Sequence, residues 1–205
     1  MNEFDAKARD WDKNPRYIDR SEAVAKVINS VIPLHKNMKA LEYGSGTALL
    51  SFALKEEFAE ITLMDNSREM TLVTEEKIAA HHIHNMKPLF FDLEHQDYSD
   101  KFDIIYNQMV MHHVLDVDAM LNKFYTLLNP GGFIAIADLY AEDGSFHGEG
   151  FHGHLGFEVD QLADKLKALG LESIEHQKCY TIEKTDEVGN VSEYPIFLLT
   201  ASKPE

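Results

Sequence analysis

Cysteine is nearly absent from this sequence. Cys179 is the only one in 205 residues, so neither an internal disulfide nor a multi-cysteine zinc site can be built, and the plainest role for the thiol is that of a small buried hydrophobe. Positive charge is also scarce. Nineteen Lys and Arg stand against 35 Asp and Glu, a formal net charge of −16; such a surface repels phosphate backbones and anionic lipid, so neither nucleic acid nor a membrane is expected as a partner. No apolar run reaches membrane-spanning length, and "MNEFDAKARDWDKN" is charged throughout without an apolar signal core, which leads to the expectation of a cytoplasmic protein. Repeats, low-complexity tracts and linker-like boundaries are missing as well. With 44% hydrophobic residues the chain can bury one sizeable core, and it reads as a single domain over 1–205.

What is present is an alternation of two periods. "RYIDRSEAVAKVINSVI" carries Val24, Val27, Ile28 and Val31 at helical spacing, and Pro33 ends the pattern. Five short β-like runs follow, "MKALEY", "EITLMD", "MKPLFFD", "KFDIIYN" and "GGFIAIAD", spaced for helices between them. The clearest such helix is "DVDAMLNKFYTLLNPGG", with Val117, Met120, Leu121, Phe124 and Leu128 on one stripe and Asn129-Pro130-Gly131-Gly132 as its stop. A last helix carries Val159, Leu162, Leu166 and Leu169. After Gly170 two strands flank a Gly189-Asn190 turn with no room for a crossover helix. The expected fold is therefore α/β, a parallel sheet with an antiparallel strand at its C-terminal side.

In such sheets ligands bind beyond the carboxyl ends of the strands, where the strand order reverses. "ALEYGSGTALLSFAL" sits there, two glycines forming a tight turn after an apolar run. A dinucleotide fingerprint would place a small residue where Leu49 stands. Glu42, at the strand end, would repel a pyrophosphate and favour an ammonium or sulfonium group. The stretch points to a cationic ligand.

"LEYGSGTA" resembles the acidic-x-Gly-x-Gly loop of class I S-adenosylmethionine-dependent methyltransferases, with Glu42, Gly44 and Gly46 matching and Ala48 where the family usually has a third glycine. Asp65 ends the next strand 19 residues past Gly46 and matches the acidic residue that holds the ribose hydroxyls. Asp92 matches the position facing the adenine amino group, with Leu93 beside the ring, and "FDIIYNQMVMHHVLDVDAMLNKFYTLLNPGGFIAIAD" resembles the fourth strand, its helix and the fifth strand. The resemblance covers nearly the whole chain. It implies a Rossmann-like three-layer sandwich with a mostly parallel seven-stranded sheet, S-adenosyl-L-methionine as cofactor, and a cofactor site of Glu42, Gly44, Ser45, Gly46, Asp65, Asn66, Asp92, Leu93 and Asn107. Each also has a plainer use: Asp65 or Asp92 as a strand end or cap, Asn66 with Glu69 as helix-start chemistry, the glycines as a sharp turn.

Residues that are missing narrow the acceptor. Asn107-Gln108-Met109-Val110 lacks the Pro-Pro-aromatic motif of amino-methylating DNA enzymes, no cysteine lies where pyrimidine-C5 enzymes carry their nucleophile, and arsenite methylation needs several thiols. The chain most resembles small-molecule methyltransferases, including the quinone-pathway type, transferring methyl by in-line displacement. His112 and His113 follow the fourth strand, and either, with His113 the one assigned, is a candidate general base poised near neutral pH or a plain packing and hydrogen-bonding residue. "AAHHIHN" reads as a solvated helix C-terminus, where imidazolium suits the dipole. Residues 1–32 are expected to form a helical cover in which Phe4, Trp11 and Tyr17 either face the cofactor or dock the first helix. Residues 140–157 are expected to be a glycine-rich, flexible roof over the acceptor, with His152 or His154 facing it as further catalytic candidates; no metal ligand set is assigned. Two other functions stay open: a nicotinamide-dependent (NAD or NADP) oxidoreductase, and a non-catalytic cofactor binder acting through a partner.

Overall fold

In the computed structural model, which describes residues 4–186 and 188–205, the β-like runs become strands β1 (Lys39–Tyr43), β2 (Glu60–Asp65), β3 (Met86–Phe90), β4 (Phe102–Gln108), β5 (Leu128–Leu139), β6 (Glu172–Thr185) and β7 (Val191–Ser202). They form one sheet in the order β3-β2-β1-β4-β5-β7-β6. β7 runs antiparallel between β5 and β6, and the pairs from β3 through β5 are parallel. The order reverses between β1 and β4, so the crevice for a ligand opens past Tyr43 and Gln108.

Helices cover both faces. α1 (Pro15–Val31) starts where Asn14 accepts from the Arg16 N–H and Pro15 occupies the first turn. Together with α2 (Leu49–Leu54) it buries Val24, Ile28, Leu50 and Leu54 against Ala40, Ile61, Ile104 and Tyr106. On the opposite face, α4 (Val117–Leu127) and α5 (Val159–Ala168) pack Leu121, Phe124, Leu162 and Leu166 on Leu41, Ile105, Ile134 and Ile136. Alternate strand residues thus feed two cores, as period-2 alternation requires. α3 (Arg68–Ala80) follows β2 and ends in exposed His81, His82 and His84, the solvated C-terminus expected for that stretch. Its N-cap is Ser67, whose side chain accepts from the Met70 N–H, rather than Asn66.

Two connections depart from expectation. Residues 91–101, between β3 and β4, contain no helix; Asp92 instead turns the chain by accepting from the N–H groups of Glu94 and His95. Asn129-Pro130-Gly131-Gly132 lies within β5 as an irregularity, where pairing to β4 shifts register between Phe102 and Ile104. Among the described residues no helix is long and apolar enough to cross a membrane. Cys179, on β6, is half-buried, and burial pushes its thiol up to about 12.

Candidate functional site at the switch point

A cavity of about 850 Å³ opens at the carboxyl ends of β1, β2 and β4. One end is framed by the loop after β1. The N–H groups of Gly44 and Ser45 donate to the Met64 carbonyl (2.8 and 3.1 Å), and the Gly46 N–H donates to Asp65 Oδ2 (2.7 Å), whose other oxygen accepts from the Ser67 N–H. From α3, Thr74 Oγ1 donates to the Gly46 carbonyl and Lys77 Nζ to that of Thr47. The loop is therefore fixed before any ligand arrives. Gly44 and Gly46 have φ of +66° and +52°; a Cβ on Gly44 would lie 2.5 Å from Val110 Cγ2, whereas one on Gly46 would meet only Met70 Sδ at 4.0 Å. The first glycine is needed for packing, the second leaves space. Ala48 also takes a left-handed conformation, φ +62°, which glycine would adopt without strain.

Glu42 is buried beneath this loop. It pairs in register with Tyr106 of β4 and accepts from Ser51 Oγ, which also bonds the Tyr106 hydroxyl at 2.6 Å. Burial pushes the Glu42 carboxyl up to about 8, against the Ser51 hydrogen bond that favours its ionised form. Burial likewise raises Asp65, opposed by its two backbone donors. Glu42, Gly44, Ser45, Gly46, Asp65, Asn66, Asp92 and Leu93 all line the cavity. Asn107 does not: its amide is enclosed in the sheet with no hydrogen-bond partner among the described residues, and Gln108, Met109 and Val110 take the place expected of it.

The N-terminal segment closes this end. A 3₁₀ helix, Asp5–Lys13, lies along α3; Asp5 accepts from Ser67 Oγ (2.7 Å), and Asp12 from Thr47 Oγ1 (2.5 Å) and Lys77 Nζ (2.6 Å). Phe4, Trp11 and Tyr17 line the cavity, so the aromatics of this segment face the ligand space. Phe4 meets the edge of His113, ring centroids 5.2 Å apart.

The other end is built by the short 3₁₀ helix Met111–His113 after β4, by residues 146–151, and by Arg20 and Lys184. His113 lines the cavity as expected, but burial depresses its imidazole to about 4, so it is neutral and a weak base at pH 7 rather than poised near neutrality. The placement expected for His152 and His154 is corrected. His152 is exposed, and His154 donates its N–H to the His112 carbonyl and places Nε2 3.0 Å from the Val114 carbonyl; among the described residues neither lines the cavity. The residue facing inward is His147. Alternate residues share a side only in an extended segment, whereas the chain turns repeatedly through Gly144, Gly148 and Gly150 at positive φ. Nor is the whole roof loose: Glu142 Oε2 accepts from the Gly144 and Phe146 N–H groups, Lys184 Nζ donates to the Phe146 carbonyl, and Ser145 Oγ bonds Tyr194. Arg20 is buried against the Tyr17 ring with Nε unpartnered among the described residues.

A fixed glycine loop over a buried acid, with further carboxylates at the next two strand ends, defines an α/β protein with an acidic ligand crevice at its topological switch point. The methyltransferase domain family matches residues 17–186, and the chain belongs to it. It is 28% identical over 155 residues to an uncharacterised methyltransferase of Schizosaccharomyces pombe (67% of this chain, 55% of that one) and 27% identical over 131 residues to the malonyl-[acyl-carrier protein] O-methyltransferase of Pectobacterium atrosepticum (63% and 49%). The matched region thus spans about half the length of these curated relatives. The same fold occurs in phosphoethanolamine N-methyltransferase 2 of Haemonchus contortus, solved with S-adenosyl-L-methionine (TM-score 0.71, 14% identity, 100% of this chain and 61% of that one). It occurs also in a complex of the Haloferax volcanii Trm112 methyltransferase activator with a methyltransferase (TM-score 0.78, 18%, 100% and 99%).

Proposed function

We propose that the protein transfers a methyl group from S-adenosyl-L-methionine to a small acceptor that carries an anionic group. One observation carries this reading: a single cavity joins the glycine loop and its carboxylates to an acceptor end bearing the buried Arg20 guanidinium and Lys184. When bound, the cofactor supplies an electrophilic methyl on a sulfonium. Glu42 and the loop Gly44–Gly46 would hold its cationic methionyl part, Asp65 and Asn66 the ribose, and Asp92 and Leu93 the adenine. These residues fit the group, because Gly46 leaves open space and Glu42 is a buried acid that a neighbouring cation would draw into its ionised form.

The acceptor side needs chiefly to align and exclude. In-line displacement from a good leaving group gains much of its acceleration from holding acceptor and methyl in position. Phe4, Trp11 and Tyr17 screen the reacting groups from water and favour a cation by its attraction to aromatic faces. Arg20, whose Nε has no partner among the described residues, would fix a carboxylate or phosphate on the acceptor, and His113 faces that space. With a net charge of −16, four cations at one cavity, Lys7, Arg16, Arg20 and Lys184, favour a small anionic molecule over nucleic acid or a membrane surface. A relative named for malonyl-[acyl-carrier protein] and a structural neighbour named for phosphoethanolamine are both named for molecules with anionic groups.

Calorimetric titration with S-adenosylhomocysteine and with NAD, followed by mass-spectrometric detection of methyl gain in a panel of carboxylate and phosphate acceptors, tests the proposal. Binding of S-adenosylhomocysteine and not NAD, with turnover reduced in Arg20→Gln, is expected. Binding of NAD alone would return the protein to the oxidoreductase class. Cofactor binding without turnover of any acceptor would favour a role through a partner, as the Trm112 complex of the structural neighbour illustrates for that protein.

A further inference from the structure

We propose that His112, His113 and His147 form a binding site for a divalent transition-metal ion at the acceptor end of the cavity, with coordination positions left open to an acceptor. Each offers one ring nitrogen, and the three nitrogens lie within 4.8 Å of one another. Ring centroids are 4.2 Å apart for His112 and His113, 4.9 Å for His112 and His147, and 5.7 Å for His113 and His147. Zinc held at about 2.0–2.1 Å by each nitrogen would bring tetrahedral ligands to about 3.3 Å from one another, so the set must tighten by roughly an ångström or somewhat more. His147 can supply that movement. It sits between Gly144, Gly148 and Gly150, all at positive φ, and the last two have nothing within 4 Å of where a Cβ would project.

Three features mark this cluster as more than packing. Asp138, fully buried at the end of β5, lies 2.6 Å from His112 Nδ1 and also accepts the His112 backbone N–H at 3.2 Å. A carboxylate can only accept, so Nδ1 carries the proton and the Nε2 lone pair is left for a ligand; this is the carboxylate–histidine–metal arrangement that orients metal-bound imidazoles. His147 Nδ1 is buried with no hydrogen-bond partner among the described residues, an orphan that an ion would satisfy. The His147 ring is stacked on Phe151 at 3.7 Å, and the His154 N–H to His112 carbonyl bond (2.7 Å) ties this loop to the histidine helix.

Three imidazole ligands without carboxylate or thiolate suit zinc, iron, nickel or copper and not magnesium or calcium. Three protein ligands with a free position are also the pattern of catalytic rather than structural zinc. All three rings line the cavity that holds the proposed cofactor loop, so the free position faces the acceptor. An ion bearing its full double charge there would lower the pKa of an ionisable hydroxyl or thiol bound to it, whose proton would pass to solvent water, and hold the resulting oxyanion or thiolate as the nucleophile that bonds to the methyl carbon while the carbon–sulfur bond of the sulfonium breaks and neutral S-adenosylhomocysteine leaves. That last step rests on the methyl-transfer reading; the metal site does not.

The full chain, stripped with dipicolinate, should take up one cobalt(II) per chain with the visible absorption of a tetrahedral or five-coordinate ion, and equimolar zinc should displace it. Azide should shift those bands if a position is open; bands indifferent to saturating azide would overturn the open position. His147→Ala should lower zinc affinity at least tenfold, Asp138→Asn about 10–100-fold, and exposed His152→Ala not at all. Because Asp138 is buried, circular dichroism must report a folded variant, and His147→Ala, on the loop, carries the test if it does not. Cobalt uptake by the parent no greater than by His147→Ala overturns the site. S-adenosylhomocysteine binding is measured on the same samples: cofactor binding without metal uptake removes only this inference, and metal uptake without cofactor binding removes only the methyl-transfer reading.

Discussion

The carboxylate of Asp65 accepts the backbone N–H of Gly46 at 2.7 Å, so the residue proposed to hold the ribose also holds the glycine loop. Asp65→Ala should therefore weaken two properties together. It leaves the N–H groups of Gly46 and Ser67 without their acceptor, a loss of about 1–3 kcal/mol in stability, and it should reduce S-adenosylhomocysteine affinity roughly tenfold or more, since a charge-assisted bond contributes about 1.5–3 kcal/mol. Asp65→Asn keeps one acceptor oxygen and should recover part of the stability with less of the affinity. Denaturant titration beside calorimetry separates these effects; unchanged affinity in folded Asp65→Ala would remove Asp65 from the cofactor site.

The two loop glycines should fail differently. Gly44→Ala places a methyl 2.5 Å from Val110 Cγ2 at φ +66°, combining overpacking of about 1–3 kcal/mol with left-handed strain of about 1–2 kcal/mol. The loss should appear in stability, and Val110→Ala should restore part of it. Gly46→Ala meets only Met70 Sδ at 4.0 Å, so its cost to folding is the strain alone, about 1–2 kcal/mol, and its main effect is on the ligand. A thermal-melt and binding comparison of Gly44→Ala, Val110→Ala, the Gly44→Ala/Val110→Ala double variant and Gly46→Ala checks this; a Gly44→Ala defect untouched by Val110→Ala would show that the steric account is wrong.

How much of this was legible in the sequence follows the range of the interactions. Strand ends and the glycine loop were readable because alternation, turn residues and a 19-residue spacing are local and near-local signals, and Glu42, Asp65 and Asp92 stand at the cavity where those signals put them. Asn107 failed because a strand-end residue can point into the sheet as easily as out of it. His152 and His154 failed for a different reason, whereas His113 stands at the cavity. Facing in residues 144–154 depends on three positive-φ glycines and on anchors from Glu142, Lys184 and Tyr194, which are tertiary contacts without a periodic trace. Arg20 was invisible for the same reason: on helix α1 it occupies one polar position among many, and only the packing of α1 beside the switch point turns it inward.

The N-terminal cover should govern how long the cofactor stays. Asp12 is two-thirds buried and bonds both Thr47 of the glycine loop and Lys77 of α3. Asp12→Ala removes contacts whose net value is about 0.5–1.5 kcal/mol, so dissociation of S-adenosylhomocysteine should accelerate about threefold to tenfold while association changes little. Trp11 lies at the cavity, and its fluorescence gives the stopped-flow signal. A dissociation rate equal to the parent's would mean that the segment merely docks on α3.

Glu42 should make cofactor affinity depend on pH. In the free protein its carboxyl is pushed up to about 8 by burial, so near pH 6.5 it is largely protonated, whereas a cationic ligand beside it favours the ionised form. Binding must then release a proton, and affinity should climb with pH, by up to about tenfold per unit, until it levels above about 8. The same shift has the opposite sign for folding. A carboxyl whose folded value lies above its ordinary 4.5 keeps a proton in the native state that the unfolded chain has lost, so its contribution to stability is present at low pH and declines as pH rises from about 4.5 to about 8. Glu42→Gln preserves an acceptor for Ser51 Oγ and cannot titrate. It should flatten both dependences, bind S-adenosylmethionine more weakly than the parent above pH 8, and approach the parent below pH 6.5. Calorimetry in buffers of different ionisation enthalpy counts the released protons directly. Equal proton release from the parent and from Glu42→Gln would assign the linkage to another group and remove Glu42 as the acid that recognises the cation.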